Sequence, residues 1–72
     1  MTPVREIDCR GMRCPLPIIR ISHELNTISI GEELILLSDD PATVPDLAAW
    51  ARMRKQFAEQ LAEHRFLVRR LS

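Results

Sequence analysis

From Cys14 to Leu37 the chain reads CPLPIIRISHELNTISIGEELILL, and its hydrophobic period changes partway along. Ile18, Ile21, Ser22, Leu25 and Ile28 recur at i, i+3, i+4, i+7 and i+10, while Arg20, Glu24 and Thr27 fall on the other side. This spacing predicts an amphipathic helix of about three turns or slightly more, with one face for a core. Pro15 has φ fixed near −65° and no N–H to lose, so it suits the first helical position and makes Cys14 the N-cap. Pro17 also falls in the first turn, where backbone N–H groups lack intrahelical partners, and stiffens it at no cost in hydrogen bonds. After Gly31 the pattern changes. Glu33 to Ser38 contains the unbroken apolar run Leu34-Ile35-Leu36-Leu37, which predicts a central strand covered on both faces.

Outward from this segment, Val4 to Asp8 has the length and β-branched content of an edge strand. A βαβ opening results. On the other side, Asp39 to Thr43 reads as loop, and Thr43 with Asp46 three residues on resembles a capping box, Pro45 being accepted in the first turn. A second helix is expected to begin near Val44, with Leu47, Trp50, Ala51 and Met53 as its core stripe and the cations of Arg52-Met53-Arg54-Lys55 in its last turn. Beyond Lys55 two patterns compete. Phe57, Ala58, Leu61 and Ala62 prolong the helical spacing with no glycine or proline to stop it, whereas Phe66 to Leu71 alternates as a strand. Pattern alone leaves the stretch between undecided.

Composition narrows the function classes. Seventy-two residues imply one domain, residues 1–72, and 46% apolar content is that of a globular chain. Ten basic and ten acidic residues cancel, and the two halves nearly balance; direct nucleic-acid binding, which leaves a strong basic excess, is not expected. The Leu34–Leu37 run falls far short of the roughly 20 residues that span a bilayer, and the amino terminus lacks the basic-then-apolar layout of a signal peptide. A soluble, cytoplasmic protein is the expectation. Cys9 and Cys14 are five apart, so a disulfide between them would close a very small loop and stabilise little. Metal binding is not expected, because His23 and His64 stand without CxxC or HxxxH spacing.

Chemistry concentrates at Cys14. A sulfur at a helix N-terminus faces free N–H groups and the positive end of the dipole, and Arg10 and Arg13 add local positive charge, so the thiolate should be favoured and the thiol should titrate below about 8.5. The plainer reading is a small apolar residue that happens to precede a helix. A Cys-His dyad is disfavoured, since His23 lies nine residues on, about 13 Å up the same helix.

The run Asp8-Cys9-Arg10-Gly11-Met12-Arg13-Cys14-Pro15-Leu16-Pro17, followed by a helix, the Gly31-Glu32 turn, an apolar strand and Asp39-Asp40-Pro41-Ala42, resembles the TusA-like (SirA-like) sulfur-carrier proteins. The resemblance extends over essentially the whole chain. It implies a βαβαββ two-layer α/β sandwich, two helices on a four-stranded mixed sheet, with the second helix ending near Lys55 and a third strand at Phe57 to Gln60 pairing with Phe66 to Leu71. It implies a persulfide carried on Cys14, with Pro15, Pro17 and Gly11 shaping the motif. Sulfur would come from a cysteine desulfurase or rhodanese-like protein donor and pass to a protein acceptor, in tRNA thiolation, molybdenum-cofactor maturation or sulfur oxidation, with no cofactor and as a monomer. The chain departs from the family where a glycine commonly follows the second helix and a longer glycine-containing hairpin loop follows the third strand; Lys55-Gln56 and Leu61-Ala62-Glu63-His64 stand there instead.

A carrier thiol attacks a donor persulfide as thiolate and needs no catalytic base, which agrees with the residue-level reading. Leu16 falls roughly 160° from Ile18 at 100° per residue, away from the core face. With Arg10, Arg13 and Arg20 around it, it is a candidate docking surface. The arginines read equally well as solvated surface, Cys9 as a half-buried strand-end residue and Trp50 as core. Two other functions stay open: a non-catalytic regulatory or interaction module of the same fold, and a thiol redox protein pairing Cys9 with Cys14.

Overall fold

The computed structural model describes residues 4–72. In chain order the elements are β1 (Arg5–Asp8), α1 (Leu16–Leu25), β2 (Glu33–Leu37), α2 (Thr43–Arg54), β3 (Phe57–Ala62) and β4 (Arg65–Arg69). The strands form one sheet in the order β1-β2-β4-β3, with β1 parallel to β2 and the other two pairings antiparallel. This is the expected βαβαββ arrangement, two helices on a four-stranded mixed sheet. No helix among the described residues is long and apolar enough to cross a membrane.

Register decides which strand residues meet the helices. Ile7, Leu36 and Phe66 lie opposite one another across three strands, as do Leu34 and Val68, and all five are buried with Ile21 and Leu25 of α1 and Leu47, Trp50 and Ala51 of α2. Trp50 is therefore core, as expected. Met53 is not: it is 74% exposed, because at 100° per residue it falls roughly 110° round the helix from the centre of the Leu47–Trp50–Ala51 stripe. The opposite face of the sheet carries no helix among the described residues, so the expected cover on that side of β2 does not come from a second helical layer. Ile35 points to that face yet is only 6% exposed. Its cover comes from side chains. Arg65 on β4 reaches over β2 to Glu6 on β1 (2.7 Å), Arg69 pairs with Glu33 (2.5 Å), and the Arg69 guanidinium lies 5.0 Å from the centre of the Phe57 ring. Leu67 lies opposite Ile35 on this face, and the two arginines flank the pair along β4 with heads that stay wet.

The disputed carboxyl-terminal stretch is a hairpin. α2 stops at Arg54, and β3 runs two residues beyond the expected Gln60, with a bulge between Gln60 and Ala62. β4 ends at Arg69 rather than Leu71, although Arg70 still exchanges backbone hydrogen bonds with Gly31 and Glu32. Packing overrides the helical spacing here: as a strand, the segment brings Ala58 onto the core beside Val68. The stop is local. Lys55 takes the left-handed conformation (φ 59°), its N–H reaches the Arg52 carbonyl and the Gln56 N–H reaches that of Ala51, the pairing of a Schellman motif. Glycine is the usual residue at that position, because a Cβ there costs roughly 1–2 kcal/mol. Lys55→Gly is accordingly expected to raise stability by about 0.5–1 kcal/mol after allowing for the freer unfolded chain. Urea unfolding measures it, and a loss of stability would show that the lysine stem makes a compensating contact.

Two expected caps are corrected. Pro15, not Cys14, is the residue that precedes α1, and Cys14 lies one position further out. At α2 there is no capping box: Ala42 precedes the helix, and the Thr43 hydroxyl is buried against Ser38 (2.7 Å) instead of serving a helical N–H.

Candidate functional site

Parallel β1 and β2 end side by side, and the loops that follow them form the site. Open α/β sheets commonly place sites beyond the carboxyl ends of such strands. After β1, the Cys9 N–H continues the ladder to the Leu37 carbonyl (2.7 Å), and a turn carries Met12 back to the Cys9 carbonyl (3.1 Å). Gly11 sits in that turn at φ +87°, a conformation glycine adopts without steric cost. After β2, Asp39 and Asp40 accept from the other loop: Gly11 N–H to Asp39 Oδ1 at 3.0 Å and Cys14 N–H to Asp40 Oδ2 at 2.7 Å. Asp40 also takes the Ala42 N–H (3.0 Å), and these backbone donors hold its carboxyl below the usual range. Two aspartates thus fasten the cysteine loop to the sheet.

The Cys14 side chain is exposed, and its Sγ donates to Asp46 Oδ2 in the first turn of α2 at 2.5 Å. That contact reverses the expected electrostatics. The Asp46 carboxylate, aided by partial desolvation and by Asp40, raises the thiol above its ordinary value instead of lowering it. Arg10 does not offset this, because it is tied to Asp8 through Nε (2.9 Å) and Nη2 (2.8 Å) and pushes that carboxyl down to about 2. Arg20 is paired with Glu24 (3.1 Å), a turn further along α1. Arg13 is in no ion pair among the described residues and acts on Asp40.

Leu16 is 52% exposed beside the thiol, as its helical angle implied, whereas Pro17 is buried under the first turn. Cys9 is 0% exposed inside the core, more deeply set than a half-buried strand end. The structure therefore brings Cys14, Gly11, Pro15 and Leu16 together, with Arg13 at the edge, and commits Arg10 and Arg20 to neighbouring carboxylates. Asp46, which sequence reasoning assigned to a cap, and Asp39 and Asp40, noted there only as a loop signature, are the additions. Among the described residues no group of three or more His, Cys, Asp or Glu side chains could hold a metal ion.

The loop pinned by two aspartates thus carries an exposed thiol, while the second cysteine is sealed in the core. Residues 5–70 match the family described as Sulfurtransferase TusA, and the chain belongs to that family. It is also 41% identical over 59 residues to the sulfur carrier protein TusA of Allochromatium vinosum, an alignment that takes in 82% of this chain and 74% of that protein.

Proposed function

We propose that this protein is a cytoplasmic, monomeric sulfur carrier that holds a persulfide on Cys14. It takes sulfur from a cysteine desulfurase or rhodanese-like donor and delivers it to an acceptor protein. The observation that carries this reading is the division of labour between the cysteines: Cys14 is exposed at the site and Cys9 is fully buried. A carrier needs one accessible sulfur that a second protein can reach, and a redox pair needs two. Treatment with a desulfurase and cysteine should add about 32 Da, one sulfur atom, to the protein. Loss of two hydrogens instead would indicate a Cys9–Cys14 disulfide, and no change would indicate an interaction module.

Pro15, Pro17 and Gly11 shape the loop in this reading, while Leu16 and Arg13 contact the partner, with Arg10 and Arg20 at the rim. An exposed leucine ringed by charge beside a reactive group has the layout of a small interface, apolar at the centre and polar at the edge. Leu16→Asp is expected to leave the fold and the intrinsic alkylation rate of Cys14 nearly unchanged while slowing transfer to and from protein partners about tenfold or more. Arg13→Glu should slow transfer and weaken its dependence on salt. Transfer assays at two ionic strengths decide this, and unaltered rates for Leu16→Asp with every donor and acceptor would place docking elsewhere.

A further inference from the structure

Asp46 occupies the first turn of α2, where a carboxylate ordinarily serves its own helix's free N–H groups. Here it is turned outward, with Oδ2 2.5 Å from Cys14 Sγ. Contact between the two groups favours a protonated sulfur, since two touching anions repel whereas a thiol donating to a carboxylate makes a charge-assisted hydrogen bond. The charged groups that face Cys14 are both acidic: Asp46 from α2, and Asp40 from the preceding loop, which also holds the Cys14 N–H. Asp46 itself is in no ion pair among the described residues. A nucleophile is thus held beside an uncompensated carboxylate at the surface where a partner must approach.

We infer that Asp46 is a lock on the carrier: it keeps unloaded Cys14 as a thiol, and a protein partner releases the thiolate by presenting an arginine or lysine to the Asp46 carboxylate. The inference rests on the sulfur-carrier reading, although its test does not use sulfur transfer. In the loading step Cys14 gives up its proton and the thiolate attacks the outer sulfur of the partner's persulfide. The partner's S–S bond breaks, its electron pair stays on the inner sulfur, and that sulfur takes up the proton. One S–S bond forms as another is broken, so neither oxidant nor reductant is consumed. A lock of this kind protects the free carrier from stray electrophiles and confines its reactivity to complexes in which the carboxylate is neutralised.

Asp46→Asn and Asp46→Ser, each in a Cys9→Ser background, test the lock by iodoacetamide alkylation as a function of pH. Both variants should show a lower midpoint for thiolate formation. For each unit of fall the rate at pH 7 should rise about threefold, tenfold more thiolate being offset by about threefold lower nucleophilicity. The second arm compares a cationic with an anionic methanethiosulfonate reagent of similar size. Unsubstituted Asp46 should favour the cationic reagent at low salt, and the preference should shrink severalfold in both variants and at high salt. A midpoint that stays or rises in both variants overturns the lock. A lowered midpoint with an unaltered cation preference overturns the cationic key. Persulfide loading is read separately by mass, so its failure would count against the carrier function and leave the pH result standing.

Discussion

Cys14→Ser is expected to abolish sulfur loading by a desulfurase and cysteine, whereas Cys9→Ser should retain most of it. The expected difference is the largest the molecule offers, because a hydroxyl cannot hold a persulfide and the other cysteine is out of reach. Cys9 is buried in the core with Ile7, Leu36 and Phe66, and burial is the first cause that raises its thiol above the ordinary value. Both properties oppose attack on a donor. Replacing Cys14 should cost little stability, since its side chain is exposed and its structural bond to Asp40 comes from the backbone; the loss would therefore report chemistry and not unfolding. Mass spectra of the two variants after donor treatment check this. Equal loss in both would refute a single carrier and point to a sulfur that passes between the cysteines.

The expectation that misjudged Cys14 shows where sequence reading stops. The motif at residues 14–17 locates the sulfur, and a cysteine at the cap itself would feel the helix dipole. In the folded chain Pro15 precedes the helix and the sulfur meets a carboxylate 32 positions away, a contact that only the packing of α2 on the sheet creates. Asp46 had a local explanation as a capping residue, and local explanations hide tertiary ones. The run at residues 34–37 was legible as a central strand because four apolar residues admit few other fates. It could not show that one face meets no helix and is bordered instead by Leu67 and the Arg65–Glu6 and Arg69–Glu33 pairs. Beyond Lys55 the local signal pointed the wrong way, because a lysine fills a left-handed position where glycine would have marked the end of the helix; family resemblance carried the hairpin where periodicity did not.

The two faces of β2 also set unequal energies on adjacent residues. Leu36 is fully buried between sheet and helices, with Ile7 on one side and Phe66 on the other. Truncation to alanine leaves a cavity that the closed core refills poorly, at a cost of about 2–5 kcal/mol. A chain of 72 residues has a total stability of about 4–11 kcal/mol at 0.05–0.15 kcal/mol per residue, so Leu36→Ala should remove a large share of it and can leave the protein substantially unfolded at 37 °C. Ile35 is nearly as buried, but on the face without helices, opposite Leu67 and flanked along β4 by the stems of Arg65 and Arg69, which are paired with Glu6 and Glu33 at the surface. Those stems can settle and water can enter, so Ile35→Ala should cost about 1–2 kcal/mol, nearer the transfer term alone. The consequence reaches the site, because the loop that begins at the end of β2 carries Asp39 and Asp40 to the cysteine loop. Leu36→Ala should therefore make alkylation of Cys14 less dependent on Asp46 as well as lowering the urea midpoint. Urea unfolding of both variants measures the contrast, and an Ile35→Ala cost equal to or above that of Leu36→Ala would mean that the open face is packed as tightly as the core.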